Sequence, residues 1–256
     1  MGQSGMRGIA VVVATLLTLA SVNCYGAGKI VQWGYGGANG PAKWSSLDPA
    51  FEVCKIGELQ SPIDIPATGP RVGDLPSLLF DYKPSPLKII DNGHTLQVNY
   101  APGSFLMVSG KKYELLHIEF HKPSEERIAG RGHDMAAHLV HRGPDGKPGV
   151  VAVLLDAGDE NRLLKTIWDN VPRDKGTEKA VDGVTINALE LLPKNRGYYT
   201  FSGSMTTPPC TEDVTWFVLK TPVTISPDGI ARFGRLYPMN ARPVQPVNGR
   251  DIQVTR

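Results

Sequence analysis

Apolar residues recur at every second position along much of this chain. Residues 87–90, 95–99, 104–108, 113–121 and 136–141 form short runs separated by Gly, Pro, Asn and Ser, the pattern of strands. Residues 150–155 read VVAVLL with no polar break, as a strand covered on both faces does. Strand signals return at 198–201 and 214–219. Helical spacing is scarcer. In residues 159–170, Leu163, Leu164, Ile167 and Trp168 fall on one side, and residues 186–191 have a similar period. Ser226 followed by Pro227 is an N-cap and first-turn pair, predicting a short helix to Arg235. Residues 29–67 follow neither period; Trp33, Tyr35 and Trp44 among glycines predict aromatic packing over an irregular N-terminal arm. No linker-like stretch splits the chain. The pattern predicts one mainly β (α+β) domain, a central sheet with short peripheral helices.

The first residues are patterned differently. Arg7 precedes a fourteen-residue, largely apolar run from Ile9 to Val22, long enough for a secretory signal and short for a membrane span. It predicts a signal peptide over residues 1–26, cleaved somewhere between 22 and 28, and a domain over residues 29–256. Cys24 leaves a lipid anchor open, although Asn23 is a poor residue beside a lipidated cysteine. Export to a periplasmic or extracellular space is the expectation, with no membrane span in the mature chain. Cys54 and Cys210 are then an even pair in an oxidising compartment. A bridge between them closes a loop of about 156 residues, worth up to ~5 kcal/mol on chain entropy; two separate buried thiols are the alternative.

Composition narrows the partners. With 27 basic and 25 acidic residues the net charge is only +2, which argues against nucleic acid or an anionic membrane as the main partner. Gly (28) and Pro (21) are plentiful without a period, as many short strands and turns require.

Five of the six histidines lie between Tyr113 and His141. On a strand, i and i+2 share a face about 7 Å apart, so Glu119 and His121 can reach one metal ion. His117 and His121, about 13 Å apart, do so less easily. If residues 136–140 pair beside that strand, His138 becomes a third ligand. Two histidines and a carboxylate with a fourth position open form a catalytic zinc set, and equally suit non-haem iron. His133, in a polar turn, is expected to be solvated; His141, on the strand face opposite His138, is expected to be structural.

From Val31 to Ile252 the chain resembles the alpha-class carbonic anhydrases. The resemblance is carried, in order, by WGYGGANGP with Trp44, QSPIDI (60–65), DNGHTLQV (91–98), EFHKPSE (119–125), AAHLVH (136–141), GSMTTPPCTEDVTW (203–216) and NARPVQP (240–246). It implies a ten-stranded mixed, largely antiparallel sheet, a Zn2+ cofactor and reversible hydration of carbon dioxide to bicarbonate, in a monomer or a dimer. His121 and His138 match the second and third zinc histidines. Thr206 matches the threonine that accepts a hydrogen bond from zinc-bound hydroxide, and Glu125 the acid that takes that threonine's hydrogen. Thr207 borders the bicarbonate position. Val140, Val150, Met205 and Trp216 match the apolar wall for carbon dioxide, and His94 the proton shuttle. Cys54 and Cys210 match the disulfide of exported members.

The departures cluster at the metal. Glu119 stands where the family has its first zinc histidine, and His117 where it has a supporting glutamine. Ala136 replaces the glutamate that orients the third histidine, and Glu126 replaces a histidine. A ligand carboxylate leaves the bound water less acidified, so the resemblance also admits a weak or inactive, partner-binding carbonic-anhydrase-like protein. The missing acid at 136 is expected to offset part of that charge, and His117 is placed to hydrogen-bond Glu119.

Overall fold

Residues 135–141 and 149–155 fold as the middle of a sheet because both their faces are buried and, His138 and His141 apart, apolar. Met135–Arg142 is buried in all but its last residue, and Pro148–Ala157 is buried from Gly149 to Leu155. Such strands have no solvent side and need a layer on each face. The computed structural model describes residues 1–2 and 31–256, and Val31–Arg256 is one compact unit. The expected signal segment, Cys24 included, lies outside the described residues. Among the described residues, no helix is long and apolar enough to cross a membrane.

Ten strands lie in line: Lys179–Ile186, Ser85–Asp91, Leu96–Asn99, Lys111–His121, Met135–Arg142, Pro148–Ala157, Val214–Leu219, Tyr198–Gly203, Gln253–Thr255 and Arg71–Gly73. Leu79–Asp81, Phe105–Val108 and Val223–Ile225 join from the side. Pro148–Ala157 runs parallel to Val214–Leu219 and to Val223–Ile225, as Gln253–Thr255 does to Arg71–Gly73. The other ladders of this sheet are antiparallel. One face carries the larger core, with Ile118, Phe120, Leu139, Val151 and Val153 under Leu163, Leu164, Ile167 and Trp168 of the Arg162–Asp169 helix. The other carries a smaller core of Ala136, Val140, Val150, Ala152, Leu154 and Trp216. Period 2 puts Glu119, His121 and His138 on this second face.

The predicted helix opening at Ser226 is present as Pro227–Leu236, with the Ser226 hydroxyl accepting from Gly229 N–H. Residues 186–191 differ from expectation. A strand, Lys179–Ile186, ends there, and a single 3-10 turn, Ala188–Leu191, follows under an Asn187 cap. The strand carries no sequence signal because it is a mostly exposed sheet edge, and its register breaks between Ala180 and Thr185, where Gly183 takes φ +72°. Only Val181, Val184 and Ile186 meet the core, out of step across that break, so no regular alternation is written into it.

His133 is not solvated. Its ring is buried, with Nδ1 2.8 Å from Asp156 Oδ1, a partner 23 residues away that no local pattern reveals. His141 is structural as expected, fixed by Tyr82 Oη at Nε2 (2.7 Å) and by the Gly149 carbonyl at Nδ1 (3.2 Å). Burial pushes its pKa down to about 4. The neutral ring is favoured in the fold and the charged one in the unfolded chain below about 6.5. This contribution is therefore complete above about pH 6.5 and is lost as pH falls towards 4, by up to ~3 kcal/mol. Urea unfolding at several pH values should show His141→Gln, already weaker at neutral pH, with a shallower acid slope than the parent. Equal slopes would mean that His141 does not contribute to the acid sensitivity.

Candidate metal centre

Antiparallel pairing sets Glu119 opposite His138 and His121 opposite Ala136. Cross-strand neighbours share a face, so alternation along one strand and register with the next deliver three donors to one place. Ligand atoms of Glu119, His121 and His138 all lie within 4.8 Å of one another, and all three residues are buried. Glu119 Oε1 is 3.7 Å from His121 Nε2 and 4.0 Å from His138 Nδ1. Tetrahedral zinc with bonds of about 2.0–2.1 Å needs edges of about 3.4 Å, within a small side-chain movement of these.

Each ring is turned so that one nitrogen faces this centre. His121 Nδ1 donates to the Asn240 carbonyl (2.9 Å), leaving Nε2 inward, buried and without a hydrogen-bond partner among the described residues. His138 Nε2 faces the Glu126 carboxylate (3.1 Å), leaving Nδ1 inward. An inward-facing, unpartnered, buried nitrogen is costly unless something binds it. The residues present fit a divalent cation with one carboxylate and two imidazole ligands.

Electrostatics supports this. Burial opposes the Glu119 charge, but the His121 ring, then His117 and His138, lower its pKa to about 2. Burial likewise opposes a charged His121, and Glu125, Glu119 and the Asn240 carbonyl overcome it. Without a metal the two form an ion pair, so metal binding displaces a proton from His121. His117 does not hydrogen-bond Glu119: its Nε2 is 4.0 Å from Oε2, beyond hydrogen-bond range. The bulge between Leu115 and His117 is where this strand's register to its neighbour shifts.

Two positions along the ladder, on the same face, His117, Val140, Val150 and Trp216 pair in sequence across four strands. Val140, Val150 and Trp216 pack in the smaller core with half-buried Met205 against it, and the Trp216 ring meets the His138 ring edge-on at 5.1 Å. Thr206 is buried and Thr207 half-buried on the loop after Tyr198–Gly203. That loop is pinned by Met205 N–H to Thr211 O, Cys210 N–H to Thr207 O and Trp216 Nε1–H to Ser204 O. Glu125 accepts from the Arg242 N–H (2.6 Å) and its Oε2 lies 3.5 Å from His121 Nδ1. Burial holds the Glu125 carboxyl above its usual range, against the pull of the His121 and His138 rings and of the Thr206 hydroxyl. His94 is half-buried and stacked on Trp33, centroids 3.6 Å apart and planes 6° from parallel. Burial, then Lys175, lowers its pKa.

Sequence reasoning missed three participants. Asn240 ties both ends of the site, its amide donating to the His94 and Phe120 carbonyls while its own carbonyl holds His121. Tyr35 buries a hydroxyl that has no hydrogen-bond partner among the described residues, in the field of Glu125 and Glu119. Glu126 holds His138. The first two sit inside the NARPVQP and WGYGG motifs; Glu126 was legible only as a departure. Cys54 and Cys210 are joined, Cα atoms 5.0 Å apart.

Eukaryotic-type carbonic anhydrases match this chain over residues 39–256. A carbonic anhydrase of Nostoc sp. is 45% identical over 227 residues, covering 87% of this chain and 85% of that protein. One of Neisseria gonorrhoeae is 42% identical over 239 residues, 93% of each. Among solved structures, an alpha-carbonic anhydrase of Thermovibrio ammonificans with the inhibitor sulfanilamide has a TM-score of 0.83 at 37% identity, covering 88% of this chain and 99% of that one. With the sheet, the inward-facing donors and this coverage in agreement, the chain belongs to the alpha-class, eukaryotic-type carbonic anhydrase family.

Proposed function

We propose that this protein, exported from the cytoplasm, hydrates carbon dioxide reversibly to bicarbonate and a proton with zinc held by Glu119, His121 and His138. The observation that carries the reading is the inward convergence of Glu119 Oε1, His121 Nε2 and His138 Nδ1 beside an apolar wall. Zinc bound there supplies an acidified water for attack on the substrate carbon. The protein's part is positioning and proton traffic. Thr206 gives its single hydroxyl hydrogen to Glu125, which leaves only acceptor capacity facing the reacting centre. Val140, Val150, Met205 and Trp216 offer carbon dioxide a dry surface, with Thr207 at its margin. His94, half-buried on Trp33, is the imidazole that carries the proton out, although burial lowers its pKa. The bridge between Cys54 and Cys210 supports an oxidising compartment.

Stopped-flow hydration by zinc-replete protein tests this. Activity above buffer is expected, with Thr206→Ala lowering kcat/KM by about 10²-fold, the scale of losing one preorganised polar group. Absence of hydration at every pH up to about 9, where even aqueous zinc ionises its water, overturns the enzyme reading. Protein that stays metal-free after exposure to zinc favours the partner-binding alternative.

A further inference from the structure

A metal-bound imidazole is normally held by an acceptor on its distal nitrogen, and losing that acceptor costs about 10–100-fold in affinity or activity. His121 has the Asn240 carbonyl. His138 has Glu126, whose Oε2 lies 3.1 Å from Nε2 with both residues buried. The resemblance places this duty two residues before His138, where Ala136 has only a methyl group. Glu126 reaches the ring from another direction, the turn after Lys111–His121. Ser124 ties that turn, its hydroxyl donating to Glu126 O and accepting from His133 N–H, each at 2.9 Å.

The Glu126 carboxylate has no reason of its own to be buried. Its Oε1 lacks a hydrogen-bond partner among the described residues, and the His138 ring is the one side chain its Oε2 meets at hydrogen-bond distance. A buried carboxylate with one oxygen unsatisfied is a net cost to the fold, which a task at the metal accounts for. A second glutamate at 136 would set two like charges on one ring nitrogen. We propose that Glu126 is the positioning residue of His138, fixing its tautomer and orientation from the loop side, and that Ala136 and Glu126 are a matched pair. The negative charge behind His138 is relocated, not lost, so nothing on this side of the metal offsets Glu119. This contradicts the expectation drawn from Ala136 alone.

The inference rests on the metal reading above, and one titration separates the two. Zinc dissociation constants are measured by chelator competition near neutral pH on the parent, Glu126→Ala, Glu126→Gln and the double variant Glu126→Ala/Ala136→Glu. Glu126→Ala should bind zinc about 10–100-fold more weakly. The double variant should recover most of that loss, which a merely structural role for Glu126 does not allow. If Glu126→Ala fails to fold, Glu126→Gln carries the test, keeping the shape and removing the charge; it should bind several-fold more weakly, and unchanged affinity overturns the proposal. A parent that binds no zinc overturns the metal reading and this inference together. A parent that binds zinc while Glu126→Ala matches it, or stays weak when Ala136→Glu is added, overturns this inference alone.

Discussion

Carbon dioxide hydration by the zinc-loaded protein is expected to climb through neutral pH with a midpoint in the alkaline range, and Glu119→His to bring that midpoint down by about one pH unit or more. The cause is charge. A carboxylate ligand cancels one unit of the ion's charge within a bond length, where three neutral imidazoles cancel none. For three-imidazole carbonic anhydrase sites the midpoint near 7 is a known reference, not an outcome of this geometry. Moving the midpoint by about one pH unit takes about 1.4 kcal/mol between the two protonation states. Coulomb's law over a few ångströms, even with an effective dielectric constant near 20, yields at least that much. The Glu126 carboxylate, present in parent and variant alike, neither adds to this difference nor offsets it. At pH 7 the parent should then run about fivefold or more below Glu119→His, with the two converging at high pH. A parent midpoint near 7, unchanged in the variant, means that Glu119 does not bind the ion. An inert parent and an active variant mean that the remaining machinery is intact and was switched off at this position. The profile should be read with metal content measured on the same samples, because Glu119 also sets the affinity.

How much of this was legible in the sequence depended on whether an element announces itself locally. Central strands did: VVAVLL and the alternation around Glu119 and His138 fix what is buried and which face it lies on. The three donors followed from period 2 and one assumption about pairing, which the Glu119–His138 register meets. The Lys179–Ile186 edge strand did not, since hydrogen bonding to one neighbour leaves no trace in hydrophobicity. Side-chain partners across long separations were equally silent. Asp156 beneath His133 and the Asn240 carbonyl, 119 residues from His121, are facts of tertiary geometry. Ala136 alone suggested a lost carboxylate and a more electropositive metal. Only the position of Glu126 shows that the charge was kept, so reading departures one at a time pointed the wrong way.

Removing the Cys54–Cys210 bridge, by reduction or by Cys54→Ser with Cys210→Ser, is expected to cost about 2–5 kcal/mol of stability. The bridge spans 156 residues, most of the compact unit, so opening it frees much of the unfolded chain's entropy. A domain whose whole stability is about 5–15 kcal/mol feels a change of that size. The native state loses anchorage as well. Cys54 and Cys210 pack with Trp44 in a small apolar cluster, against which Trp33 and Tyr35 rest, and Trp33 is the ring on which His94 stacks. Gln60 holds the Cys210 carbonyl, and the Arg242 guanidinium bonds to the Cys54 and Ser61 carbonyls while its own N–H serves Glu125. The same residues thus support the arm under His94, the Thr206 loop and Glu125. Two consequences separate in experiment. Urea unfolding with and without reductant should show the loss in stability, and a difference below about 1 kcal/mol would place the entropy gain elsewhere. Hydration by the reduced protein, held well inside its folded range, should fall in kcat while zinc content stays unchanged, because the ligands stand on strands that the bridge does not touch. A loss of zinc in step with activity would mean that the bridge holds the metal strands after all.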